Sequence, residues 1–589
     1  MKSLPVGQQS FTDLITGNNY YVDKTPFIKE VLKHDAQVLL ITRPRRFGKT
    51  LFMDTLQRFL EIDPANPGKS DANARLFNGL KILEDRTFCD THMGQHPVIG
   101  LSLKNAVADT FEFAYQLFAL NLVSVARQFA FLLESPKITA DDKATLACYL
   151  NSEYMKNPAH KASVVLFLKN LATMASAHYG RKAIILIDEY DVPLAKAASR
   201  GYYDKMVVVI RDFLSEALKP SPTTDSYLLK AVLTGCLRVS KESLFTGLNN
   251  PGINTVCSED RLLSQAIGFT TEETQSLLAC YGLISRFTDV KQWYDGYLFA
   301  GDEIYCPWDV INFCSQAIRS GNPQQYRPEN YWEGTSSNEA IEEFLGFLDT
   351  EDAARMQTLV DGGAVDLTIN DKLTYSDFAS HNSEDFWTLL LFSGYLTVIE
   401  RLPGVNSYRV KIPNEEIRLT FENKVRSLYS KKNKQYSKHG ENLAAAFLAG
   451  DADAVRKILM PLLRRYVSVR DEATKAPQEN YYHGFLLAML VCAGDKASNL
   501  HSNTEAGTGF PDLVFTSEDL DVGVIIEVKR CTKPEEMPQK AQAALDQIKV
   551  QRYAQAFDGY QCSRCFGFGV SFCKKICVVK AEALSAPQN

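Results

Sequence analysis

Two short stretches of this 589-residue chain combine residue types that act on phosphate oxygens. The first is Arg43-Pro44-Arg45-Arg46-Phe47-Gly48-Lys49-Thr50. A turn whose backbone N–H groups converge ahead of a helix N-terminus attracts phosphate. Within it Lys49 would reach the outer phosphates of a triphosphate and the Thr50 hydroxyl would ligate magnesium, with Arg45, Arg46 and Gly48 as the other candidate contacts. A second motif completes the pattern. The unbroken apolar run Ala183 to Ile187 delivers Asp188 and Glu189 to the end of a strand, the edge at which open parallel sheets hold ligands. Asp188 would hold the magnesium through water, and Glu189 would polarise the attacking water. A third strand-like run, Ala231-Val232-Leu233, ends at Thr234-Gly235 with Arg238 beyond. Thr234 would sense the terminal phosphate; Arg238 would neutralise charge on it or pair with a carboxylate of its own domain. The ligand of such a set is ATP with Mg2+. One residue departs from the usual pattern: Arg43 stands where phosphate loops commonly exploit the backbone freedom of glycine.

The second stretch lies near the C-terminus, where Pro511-Asp512-Leu513-Val514-Phe515 is followed by Val524-Ile525-Ile526-Glu527-Val528-Lys529. Side chains alternate along a strand, so Glu527 and Lys529 share one face while Val528 turns into the core. With Asp512 on a neighbouring strand, Asp512 and Glu527 would share Mg2+ or Mn2+, and Lys529 would orient a water or offset charge on a scissile phosphate. Glu505 is a candidate extra ligand. Gln547, on the following helical stretch, would face the same site; continued helical spacing carries Tyr553 roughly 120° away from it. His483 can approach the cleft and is assigned no chemistry.

These residues need elements to hold them. Short apolar runs at Val38-Ile41, Val98-Leu103, Ile184-Ile187 and Leu228-Leu233 alternate with helical stretches, which predicts an α/β domain with a mostly parallel sheet over 1–250. Over 251–420 the spacing is mainly helical and ends in an apolar helix, the Gly394 stop and a hairpin, a winged-helix-like pattern. Residues 421–589 read as a helical lead-in and a second α/β unit with its core at about 480–580, its strands near 499–505, 511–517 and 522–530. The basic cluster Lys424, Arg426, Lys431, Lys432, Lys434 and Lys438 is either a solvated linker helix or a phosphate-tracking patch.

Composition narrows the class. Hydrophobic residues make up 45% and charged residues 23%, globular proportions, and the net charge of -6 offers no general field for nucleic acid. No secretory signal opens the chain, and Phe113 to Leu133 reads as an amphipathic helix with polar interruptions, so a cytoplasmic protein without membrane spans is expected. The thirteen cysteines then read as reduced thiols. Cys562, Cys565, Cys573 and Cys577 match no common zinc-finger spacing.

Longer strings carry a resemblance. Tyr21-Val22-Asp23-Lys24-Thr25, Asp188-Glu189-Tyr190-Asp191, Phe245-Thr246-Gly247-Leu248-Asn249-Asn250, Trp293-Tyr294-Asp295-Gly296-Tyr297 and Tyr482-His483-Gly484-Phe485 resemble a bacterial family. In that family an AAA-ATPase-like P-loop domain is joined to a PD-(D/E)XK nuclease-superfamily domain. The Arg-Pro-Arg-Arg-Phe-Gly-Lys loop looks like the family's own version. Where members commonly carry an arginine before the nuclease aspartate, this chain has Phe510-Pro511. The resemblance implies ATP binding and a nuclease fold and establishes no substrate; the expected partners are ATP and a nucleic acid, DNA or RNA, and self-association is left open. Three functions compete: an ATPase coupled to a metal-dependent nuclease, an ATP-driven switch whose C-terminal domain only binds a nucleic acid or protein, and a pseudo-ATPase in which Arg43 distorts the loop and nucleotide is absent.

Overall fold

The computed structural model describes residues 2–67, 71–219, 226–237, 251–332, 350–370, 373, 382–422, 434–466, 478–502, 506–507, 509–558 and 562–584. Contacts divide the chain into two compact units, Met1–Phe421 and Glu422–Asn589.

In the first unit Val38–Thr42 (β1), Val98–Ser102 (β2), Ala183–Asp188 (β3), Leu228–Gly235 (β4) and Gly252–Asn254 (β5) form one sheet in the order β2-β3-β4-β1-β5. Every pairing is parallel. β1 and β3 are buried along their whole length, as apolar strands covered on both faces must be. The helix Phe111–Gln128 is capped by Thr110 and buries Ala114, Phe118, Leu122 and Val125. Each large apolar side chain buried this way contributes about 1.5–3 kcal/mol. The amphipathic stretch therefore divides into this helix and a 3-10 turn, Ala130–Glu134. Among the described residues no helix is long and apolar enough to cross a membrane.

The rest of the first unit holds two small antiparallel sheets. Phe269–Thr270 (β6), Tyr297–Phe299 (β7) and Asp302–Tyr305 (β8) run in the order β6-β8-β7. Val365–Thr368 (β9), Thr397–Arg401 (β10) and Ser407–Lys411 (β11) run in the order β10-β11-β9. The helix Ser383–Ser393 ends at Gly394 (φ 95°) and leads into the β10–β11 hairpin, the arrangement its sequence pattern predicts. The spacing over 251–420 nevertheless understates the strand content. Strands of two to five residues are too short to display a two-residue alternation.

The second unit is built on Ser498–Ser502 (β12), Leu513–Thr516 (β13), Val522–Arg530 (β14), Arg564–Cys573 (β15) and Ile576–Leu584 (β16), hydrogen-bonded in sequence order. Only β14 and β15 are parallel, and the helix Met537–Val550 crosses between them. Helices Lys434–Leu448, Ala452–Tyr466 and Gln478–Val491 contribute to a core that includes Phe447, Phe515, Ile526 and Phe568. Phe447 meets Phe568 edge to face at 4.7 Å. Of the basic cluster, Lys424, Arg426, Lys431 and Lys432 lie outside the described residues, while Lys434 and Lys438 fall on the first of these helices. Cys562 and Cys565 share one apolar cluster, and Cys573 and Cys577 belong to two others.

Candidate functional site

β1 delivers the chain to the loop 43–48, and the helix Lys49–Leu60 begins directly after Gly48, whose φ of 97° turns the backbone into it. Lys49 is buried and donates to the carbonyl oxygens of Arg43 and Pro44, both at 2.9 Å. Thr50 Oγ1 donates to Asp188 Oδ2 at 2.7 Å across the sheet. The strand order explains a third contact: β4 lies between β1 and β3, so Thr234 at its end donates to Asp188 Oδ1 at 2.5 Å. Asp188 is thus held from both sides, with 6% of its surface exposed. Glu189 follows in a left-handed conformation (φ 53°). Burial raises its carboxyl pKa, the charge on Asp188 adds to the rise, and Lys49 opposes it. Arg238 lies outside the described residues.

The loop's other side chains have a different occupation. Arg43, 1% exposed, turns away from the helix N-terminus. Its guanidinium donates to Thr42 O at 2.8 Å, Asn254 Oδ1 at 2.6 Å and Leu263 O at 3.2 Å, and lies 4.7 Å from the Phe299 ring centroid. Burial pulls its pKa down to about 9. Left-handed backbone occurs at Arg46 (φ 71°) and Gly48 and not at Arg43, so no glycine is needed where the general pattern has one. The Arg46 guanidinium stacks 3.8 Å above Trp308. Phe47 meets Tyr297 edge to face at 4.9 Å. A Cβ on Gly394 would stand 2.8 Å from Pro44 Cβ, so the stop after Ser383–Ser393 must be glycine both for its φ and for this approach. Arg43, Pro44, Arg46 and Phe47 seat the small sheets and the winged-helix-like element on the loop. Arg45, Gly48, Lys49 and Thr50 line a cavity of 510 Å³ together with Glu189, Lys104 and an apolar wall that includes Val22, Phe269 and Ile311. Arg46 borders the same cavity through its stack on Trp308.

Sequence reasoning gave three other residues of this region no role. Asp191 Oδ2 accepts from the amides of Cys236 and Leu237, both at 2.9 Å, and fixes the chain beyond β4. Its only signal was its place in the Asp188-Glu189-Tyr190-Asp191 string. Asp309, beside Trp308, is buried with Glu416, and burial raises both carboxyl pKa values while Arg46 opposes the rise at Asp309.

In the second unit β13 and β14 pair with Leu513 opposite Ile526, which brings Asp512 beside the end of β14. Asp512 Oδ2 accepts from Val528 N at 2.7 Å. Glu527 and Lys529 share a face with 3.0 Å between Oε1 and Nζ, while Val528 is fully buried. Gln547 Nε2 also donates to Glu527 Oε1, at 2.5 Å. Glu527 Oε2 is buried with no hydrogen-bond partner among the described residues. Burial pushes the Glu527 carboxyl up to about 7, the Asp512 charge adding and Lys529 opposing. An orphaned carboxylate oxygen beside a second carboxylate is a hard-oxygen donor set that suits a divalent cation. Glu505 lies outside the described residues.

Tyr553 corrects the helical extrapolation. The helix ends at Val550 and Arg552 is left-handed (φ 56°), which swings Tyr553 back so that its hydroxyl accepts from Gln547 Nε2 at 3.3 Å and donates to Phe510 O at 3.3 Å. The two side chains are joined by a hydrogen bond. His483 Nε2 lies 3.0 Å from both Asp512 O and Ser502 Oγ, a contact to the backbone of the site.

A parallel sheet with one strand between its phosphate-loop strand and its acidic strand, followed by a mixed sheet presenting Asp, Glu and Lys from adjacent strands, defines a P-loop ATPase-type domain and a nuclease-type domain. The comparisons name them. Residues 5–245 match a family model described as a predicted AAA-ATPase, and residues 477–582 match that of the PD-(D/E)XK nuclease superfamily. The chain carries an AAA-ATPase-like domain followed by a PD-(D/E)XK nuclease-superfamily domain. It is also similar to an uncharacterized protein from the vnfD 5' region of Azotobacter chroococcum mcd 1, 27% identical over 71% of this chain and 69% of that one.

Proposed function

We propose that this protein is a cytoplasmic bacterial ATPase that binds ATP with Mg2+ in its first unit and uses it to gate metal-dependent cleavage of nucleic-acid phosphodiesters in its second. One observation supports the nuclease half most directly: Glu527 keeps one oxygen on two donors and leaves the other buried without any among the described residues. Desolvating a carboxylate oxygen without compensation is costly, and the arrangement is economical when a cation completes it. Asp512 and Glu527 would hold the Mg2+ or Mn2+, which when bound supplies Lewis acidity and an acidified water. Lys529 then offsets charge developing on the scissile phosphate, and Gln547 keeps Glu527 from rotating.

In the first unit Lys49 exchanges the two loop carbonyls for phosphate oxygens. Thr50 and Asp188 would hold the Mg2+, which when bound neutralises phosphate charge. Thr234 keeps the Asp188 carboxylate oriented and Glu189 orients the attacking water. Arg45, which lines the same cavity, is a further phosphate contact.

Two single substitutions test the reading. Lys49→Ala should abolish ATP binding in a titration, and Asp512→Ala should abolish cutting of DNA or RNA with Mg2+ or Mn2+ while ATP binding persists. Purified protein that cuts neither polymer, with or without ATP, would remove the nuclease half.

A further inference from the structure

A solvent-exposed aromatic ring stands two residues before the Asp512 carboxylate. Phe510 is 60% exposed. Its carbonyl accepts from Tyr553 Oη at 3.3 Å. Ala506 and Gly509 exchange both backbone hydrogen bonds, at 2.9 and 3.2 Å. Gly507 and Gly509 abut the strap after the Gln547 helix: a Cβ on Gly507 would collide with the Gln551 carbonyl oxygen, and one on Gly509 would stand 3.0 Å from Tyr553 Oη. Pro511 fixes the exit. The ring is therefore carried on a braced backbone platform. Val550, 75% exposed, ends the helix that carries Gln547 and leads into the same strap, whose Arg552 is also exposed.

A hydrogen-bonded chain joins the platform to the proposed metal site. It runs from Phe510 O through Tyr553 and Gln547 to Glu527. An exposed planar apolar group two residues from the proposed metal-holding Asp512 has a natural complement in the face of a nucleobase, because every base has a π-face and stacking tolerates sequence. In a continuous duplex those faces are already covered by neighbouring bases. An unpaired base is the one that can pay for covering the ring.

We infer that Phe510 is a base-stacking residue that selects single-stranded or frayed nucleic acid and sets the register of its backbone over Asp512 and Glu527. The inference rests on the nuclease reading above. Stacking on one aromatic ring contributes enough that its loss weakens binding by about fivefold to a hundredfold.

The test is fluorescence anisotropy of the full-length protein with Ca2+, using labelled single-stranded and duplex oligonucleotides, for the wild-type, Phe510→Ala and Phe510→Tyr proteins. Phe510→Ala should weaken single-strand binding at least about fivefold, Phe510→Tyr should restore it, and duplex binding should stay the same in all three. Equal single-strand affinity in Phe510→Ala, or equal loss for single strand and duplex, overturns the inference and leaves the nuclease reading standing. A wild-type protein that binds neither polymer and cuts neither overturns both.

Discussion

The two candidate sites differ in how their charged groups are satisfied. In the first, Lys49 rests on two carbonyls and Asp188 receives hydroxyls from Thr50 and Thr234, so the protein itself partners both of these charged groups. In the second, Glu527 Oε2 is left over. A site closed on its own loop must be opened by a ligand that offers better partners, whereas a site with an orphaned oxygen is already short of one. The difference teaches that the first should respond to nucleotide and the second to a cation alone.

The largest expected effect tests why the first site is so well braced. Replacing Arg43 with the glycine of the general pattern strips donors from Asn254 and Leu263 and leaves a void beside Phe299. It should cost the first unit about 3 kcal/mol or more by chemical denaturation and leave the second unit's transition unmoved. An unchanged first transition would mean that the buried guanidinium is not what holds β5 to the loop.

Next comes the contrast itself. Mg2+ or Mn2+ without nucleotide, at about a hundredfold its dissociation constant, should stabilise the second unit by about 2–3 kcal/mol, and Glu527→Gln should erase the gain. If the ion alone stabilised the first unit as much, the distinction between the sites would fail.

Acid should mark the first unit in another way. His96, buried against His92 and near Arg181, has its pKa lowered to about 4 from 6.5, chiefly by burial. A lowered histidine pKa means that the folded state prefers the neutral ring. Its contribution is complete above pH 6.5 and is lost as pH falls toward 4, at a rate of at most about 1.4 kcal/mol per pH unit. The stability difference between wild type and His96→Gln should shrink over that window and be constant above it; a difference independent of pH would discount the histidine.

The smallest effect lies in the second site. Tyr553→Phe removes two long hydrogen bonds and should cost about 1 kcal/mol or less, with a modest fall in cation affinity read by calorimetry. A large loss would mean that Tyr553 contacts the ligand itself.

The candidate residues for phosphate and cation binding were the legible ones. Lys49, Thr50, Asp188, Asp512, Glu527 and Lys529 announce themselves because local motif and strand alternation alone fix where they point. What stayed hidden depends on partners distant in sequence. Arg43 looked like a flaw because Asn254 and Leu263, which explain it, sit on segments that no local pattern connects to it. Tyr553 was misplaced because a single left-handed residue, Arg552, broke the helical spacing on which the extrapolation depended. The carboxyl pair Asp309 and Glu416 carries no sequence signature, since each acid looks like an ordinary helix residue until the fold buries them together. The small sheets around β6 to β11 escaped for lack of length.

Four side chains of the phosphate loop are committed to packing, and this limits what can be exchanged between such proteins. A loop transplanted from an ATPase, rich in glycine and fully able to grip nucleotide, would arrive here without the ring and guanidinium that the neighbouring sheets stand on. Nucleotide affinity and structural integrity would then part company, and a graft that binds well could still produce a chain that does not hold together.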